Sequence, residues 1–81
     1  MTVSIQFFGM QRSVTKTDSI NMPITEKTSV TDALEYVRHR YPDLRLDKGM
    51  VLVTINQEMA SLDTVLREND TVGFLPHISG G

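Results

Sequence analysis

The chain contains no cysteine, and that absence removes a disulfide framework, a thiolate nucleophile and a zinc–thiolate centre together. No charge sign dominates: eight Lys and Arg stand against ten Asp and Glu, a net charge of −2. There is therefore no basic stripe for a phosphate backbone, and nucleic-acid binding has no electrostatic footing. Long apolar runs are missing, as is a signal-peptide layout, so neither a membrane span nor export is expected and the cytoplasm is the default address. Only two histidines occur, His39 and His77. They stand far apart with no ligand cluster around either, so no metal site is expected. Repeats and low-complexity segments are absent too. What is present is ordinary for one small folded domain: 81 residues, 40% hydrophobic and 22% charged, enough for one modest core.

Two periodicities organise that core. Val3, Ile5 and Phe7 alternate with Ser4, Gln6 and Phe8, as in a half-buried strand. After Gly9 comes a polar connection over 10–18 with room for one helical turn. Ile20, Met22 and Ile24 then alternate as a second strand, with Pro23 placing it at an edge or a strand end. The two strands are expected to pair as an antiparallel hairpin. Val30, Ala33, Leu34, Val37 and Tyr41 share one face at helical spacing. Ser29 precedes Asp32 by three residues, a capping arrangement at the positive end of the helix dipole. Pro42 marks the exit.

Beyond a charged link over 43–49, Met50 to Ile55 is a short, β-branched apolar run that reads as a central strand. Asn56-Gln57-Glu58 make a polar turn, and Met59-Ala60-Ser61 a brief return strand. Leu62 to Leu66 read as a short turn of helix and Glu68-Asn69-Asp70 as a turn. Val72 and Phe74 alternate with Gly73 and Leu75 in a last strand. The order β-β-α-β-(β)-β predicts an α+β fold, a mixed four- to five-stranded sheet packed on one main helix. That is the ubiquitin-like β-grasp arrangement, with the first and last strands adjacent at the middle of the sheet. The folded domain is expected over 1–76 and a flexible tail over 77–81.

The tail, His77-Ile78-Ser79-Gly80-Gly81, offers no acid, base or nucleophile at its last two positions. Its glycines lack a Cβ and leave the backbone unshielded, so the end could be threaded through a narrow channel. From Pro76 to Gly81 it could reach roughly 20 Å. The group at its tip is an α-carboxylate, ionised at neutral pH (typical pKa ~3.5) and a poor electrophile until activated, for example as an acyl-adenylate. The plain alternative is a frayed end or an expression scar.

Joint spacing up to the C-terminus carries a family resemblance. Ile55-Asn56-Gln57, then Ser61, Asp63, Leu66, Asp70, Val72, Phe74, Pro76 and Ser79-Gly80-Gly81, with Phe7-Phe8-Gly9 and Arg12 near the start, resemble the small sulfur-carrying subunit of molybdopterin synthase. The sulfur carrier of the thiamine pathway is a cousin. The resemblance covers nearly the whole chain and implies a cycle in which the small protein is not catalytic alone. An E1-like adenylating enzyme, using ATP and Mg, would adenylate Gly81, and a sulfur donor protein would convert it to a thiocarboxylate. Gly80, Ser79, Ile78 and His77 would thread into the large molybdopterin synthase subunit, where sulfur passes to a pterin precursor of the molybdenum cofactor. Phe8, Met59 and Leu75 would form the hydrophobic docking surface for both partners, and no cofactor would be bound by the chain itself. His77 departs from the pattern, standing where close relatives of the molybdopterin type often carry a second proline. So does the turn after Gly9, which lacks the family's usual apolar-helical character.

Plainer roles compete at each position. Phe8, Met59 and Leu75 could cover a sheet edge or lie under the tail. His77 and His39 read as solvated, Asp63 and Asp70 as turn and strand-start residues rather than a carboxylate pair, and Arg12 and Arg67 as a solvated face. Two further functions stay open: a carrier for thiamine, another sulfur pathway or a protein lysine, and a β-grasp interaction domain that carries nothing.

Overall fold

The structure, a computed structural model, describes residues 1–46, 49 and 51–76. Five strands and two helices follow one another as β1 (Thr2–Gln6), α1 (Gln11–Thr15), β2 (Ser19–Pro23), α2 (Val30–Arg40), β3 (Val51–Ile55), β4 (Glu58–Ala60) and β5 (Thr71–Pro76). The strands form one sheet in the order β2-β1-β5-β3-β4. β1 pairs antiparallel with β2 and parallel with β5, and β3 runs antiparallel to both β5 and β4. The expected hairpin, the central position of the last strand and the edge position of the Pro23 strand are all observed. The polar link after Gly9 folds into α1, a single five-residue turn closed by Lys16 in the left-handed conformation.

The period-two pattern explains which face is buried. Successive strand residues point to opposite sides, so Val3 and Ile5, Met22, Val53, Val72 and Phe74 all turn inward and are almost withdrawn from solvent. Against them α2 lays Val30, Ala33, Leu34 and Val37, each with no residual exposure. Burying each larger one of these side chains stabilises the fold by about 1.5–3 kcal/mol before entropy is counted. The helix begins where predicted. The Ser29 backbone N–H donates to Asp32 Oδ2 at 2.9 Å and the Asp32 N–H donates to Ser29 Oγ at 3.4 Å, a reciprocal capping box. It ends at Arg40, one residue before the predicted Tyr41, whose ring instead meets Phe7 edge-on with centroids 5.6 Å apart.

Two segments differ from expectation. From Leu62 to Leu66 the expected helical turn goes no further than one tight turn at Leu62 and Asp63, closed by the Thr64 N–H donating to Ser61 O at 3.2 Å, after which the chain runs antiparallel past the start of α2 with Val65 opposite Ser29. There the Val30 N–H donates to Thr64 O and the Thr31 N–H to Leu62 O, each at 2.9 Å, while the Leu66 N–H donates to Thr28 O at 2.8 Å. The first N–H groups of a helix have no partner inside it. Donating them to the carbonyls of this passing segment satisfies them, and a continued helical turn would spend those carbonyls on itself. The link after Pro42 also contributes to the core, since Leu44 and Leu46 are buried.

Candidate functional site: the outer face of the sheet

The side of the sheet away from α2 is set by the same alternation. Outward positions are Thr2, Ser4 and Gln6 on β1, Ser19, Asn21 and Pro23 on β2, Leu52 and Thr54 on β3, Met59 on β4, and Thr71, Gly73 and Leu75 on β5. None of these carries a charge. The apolar members gather at one end. Leu52 pairs with Leu75 across β3 and β5, and Thr54 sits between Met59 and Gly73. Leu52 is 38% exposed and Met59 67% exposed, while Phe8 and Leu75 are half-buried.

Phe8 reaches this face from the loop after β1. Its ring lies so close to Gly73 that a Cβ there would come within 2.7 Å of Phe8 Cε2 and 2.8 Å of Thr54 Oγ1. Gly73 is the one residue type that lets the ring rest on the strand. Beside it opens a groove of about 430 Å³ between Phe8, Gln6, Thr54, Gln57, Thr71 and Gly73.

The floor of this face is tied down at its polar end. Asn56 and Gln57 form the two-residue β3–β4 turn, both with positive φ (53° and 72°), as the primed hairpin turns require. The Asn56 side chain accepts from the Thr71 N–H at 2.9 Å and donates to Asp70 Oδ1 at 3.0 Å. Asp70 also accepts from the Arg67 N–H at 2.8 Å, and Asp63 from the Ser61 hydroxyl. Each aspartate is thus engaged in its own local turn, as a structural role requires. Arg12 faces Asp18 at 3.7 Å on the surface, and His39 is exposed.

Phe8, Met59 and Leu75 therefore lie on one face, Phe8 and Leu75 as the alternation predicts and Met59 as the resemblance implies. Leu52 was missed, although the inward Val51 and Val53 on either side of it carried the signal. Gln11 was missed as well; it is buried and bonded to Phe8 in the loop after β1 and to Phe74 on β5. A second cleft of about 550 Å³ lies at the end of α2 by Arg38, His39, Asp43 and Leu46. No group of three His, Cys, Asp or Glu that could hold a metal occurs among the described residues. No described helix is long and apolar enough to cross a membrane. β5 ends at Pro76, and Gly81, Gly80, Ser79, Ile78 and His77 lie outside the described residues.

A mixed five-stranded sheet wrapped on one main helix, with parallel first and last strands at its centre, defines a protein of the ubiquitin-like β-grasp class. The ThiS family model matches residues 5–81, and the chain belongs to that family. It is 31% identical over 80 residues to the molybdopterin synthase sulfur carrier subunit of Mycobacterium tuberculosis, covering 98% of this chain and 96% of that one. Among solved structures, the small archaeal modifier protein 1 of Methanosarcina acetivorans superposes with a TM-score of 0.78 at 26% identity, over 99% of this chain and 96% of that one. The complex of subunits 1 and 2 of the molybdopterin-converting factor of Helicobacter pylori contains a chain of the same fold. It matches with a TM-score of 0.64 at 22% identity, and both chains are covered in full.

Proposed function

We propose that this protein carries sulfur on its C-terminal glycine and delivers it to a pterin precursor in molybdenum cofactor synthesis. The observation that carries the reading is the family match itself, which runs through Gly81. The likeness to a sulfur carrier subunit over almost the whole of both chains supports it. In the proposed cycle an E1-like enzyme joins the Gly81 carboxylate to AMP from MgATP and releases pyrophosphate. Hydrosulfide released by the sulfur donor then attacks the activated carbonyl, the carbonyl–phosphate bond breaks, AMP leaves, and a thiocarboxylate remains. The chain supplies no acid or base to these steps. It supplies the cargo atom, the threading segment His77 to Gly80, and a docking face formed by Phe8, Leu52, Met59 and Leu75. The larger synthase subunit takes up the loaded tail in the cytoplasm.

Incubation with an adenylating enzyme, MgATP and a sulfur source, followed by intact-mass spectrometry with fragmentation, tests this directly. One oxygen replaced by sulfur at Gly81 is the expected result, and mapping is needed because any of the five methionines can take up oxygen for nearly the same mass change. Deleting Gly81 should abolish loading while leaving the melting temperature unchanged. Loading of the deleted protein at the wild-type rate would rule the cycle out. A second reading, attachment of the tail to protein lysines, is favoured by the likeness to an archaeal modifier protein. Covalent conjugates on a denaturing gel would distinguish it.

A further inference from the structure

The parallel ladder between β1 and β5 stops one rung early, and a side chain stands in the gap. The Ser4 N–H donates to Asp70 O at 2.9 Å, and the two strands stay in register through Gln6 and Gly73. In a parallel pair the donors on one strand recur at every second residue. The next donor facing β5 is then the Phe8 N–H, and the next acceptor is the Phe74 carbonyl. Instead of meeting each other, both bond to one amide. The Phe8 N–H donates to Gln11 Oε1 at 2.9 Å, and Gln11 Nε2 donates to Phe74 O at 2.6 Å. A carboxamide carries an acceptor and a donor on adjacent atoms, so it can be inserted into a backbone rung without leaving either end unsatisfied.

The burial of Gln11 and two further contacts show that the insertion is built in. Gln11 is 8% exposed, and its own backbone N–H donates to Phe8 O at 2.9 Å. The first residue of α1 thus grips Phe8 through both backbone groups. Phe8 is at the same time the residue whose ring lies against Gly73 on the outer face.

We propose that Gln11 is the positioning residue of the docking face: its amide holds the β1–β5 ladder open by one rung and so keeps the Phe8 ring over Gly73. The role rests on the carrier reading for the identity of the partner, but not for the geometry. Without the amide, a half-buried donor and a buried acceptor would be left facing each other, and leaving them unpaired is costly. The Phe8 N–H closes onto Phe74 O, β1 gains a rung, and the ring is drawn off Gly73.

The test compares Gln11→Met, which keeps the length of the side chain but makes neither bond, with Val30→Ala, which opens the core on the opposite face. Two readouts are needed. One is the nuclear Overhauser contact between the Phe8 ring protons and the Gly73 α-protons. The other is the KM and kcat of an E1-like adenylating enzyme that turns over the wild-type protein. For Gln11→Met the ring contact should vanish and KM rise about tenfold, with kcat within about twofold, the signature of lost docking rather than lost chemistry. Val30→Ala should melt earlier yet keep both the ring contact and KM. An intact ring contact in Gln11→Met, a fall in kcat at constant KM, or an equal rise in KM for Val30→Ala would each overturn the assignment. Should Gln11→Met fail to fold, Gln11→Asn decides by the same criteria, since its amide is one methylene too short to reach both partners. If the wild-type protein is adenylated by no such enzyme the carrier reading falls, and the ring contact still decides whether Gln11 holds Phe8.

Discussion

The inward and outward positions of one sheet alternate residue by residue, yet they are governed by different demands. Val72 and Phe74 point into a closed core that they share with Val30, Ala33, Leu34 and Val37 of α2. Gly73 and Leu75, their immediate neighbours, belong to a face with no charge, an apolar end and an open groove. Volume decides what fits inside, and chemical neutrality distinguishes the outside. Because adjacent residues serve the two faces, stability and recognition can change independently along the same strand, with Gly73 as the place where they meet.

Substitutions can break that separation or sharpen it. Leu34→Ala on the inner side should cost about 2–5 kcal/mol, as deletions in packed cores do, with KM for an adenylating enzyme unchanged in the folded fraction. Denaturant titration reads the first quantity, and a cost well under 1 kcal/mol would mean the core is looser than its burial indicates. Gly73→Ala should cost roughly 1–3 kcal/mol from overpacking against Phe8 and Thr54 and should weaken docking as well. A stable Gly73→Ala protein with the wild-type Phe8 contact would refute the close approach. Leu52→Ala and Met59→Ala should each change stability by less than about 0.5 kcal/mol but weaken partner binding by about 1–2 kcal/mol. Calorimetric titration against the adenylating enzyme or the large synthase subunit would show this, and unchanged affinity in both would remove that end of the sheet from the interface. The smallest effect expected is that of salt. With no charge on the outward strand positions, association should vary by less than about threefold from low to moderate ionic strength. A steep salt dependence would move docking to the charged loops and helix.

Much of this could be read from residue order. The 3.6-residue spacing of Val30, Ala33, Leu34 and Val37 fixed α2, and the alternation about Val72 and Phe74 fixed β5, because a single local period determines what each face must be. The same parity placed Phe8 and Leu75 on the outer face, and the family resemblance added Met59. Leu44 and Leu46 were hidden among Asp43, Arg45 and Asp47, where two apolar residues follow no helical repeat. Their burial depends on the chain folding back after Pro42. The stretch from Leu62 to Leu66 has helix-compatible residues, and what overrides them is the demand of α2 for partners at its first turn. Gln11 was illegible for a related reason. A polar residue in a polar link has a role only once two distant strands leave a gap the width of one amide.

The position of β5 has a mechanical consequence. The strand that leads to the C-terminus is held on both sides, by β1 in parallel and by β3 antiparallel. A pull along its axis from Pro76 loads the rungs of both ladders together, in shear, instead of peeling them off one at a time as it would for an edge strand such as β4. An enzyme that draws the tail into its channel therefore tugs on an anchorage that yields all at once or not at all. Single-molecule stretching from the C-terminus should show one abrupt rupture, and a gradual series of small steps would contradict it.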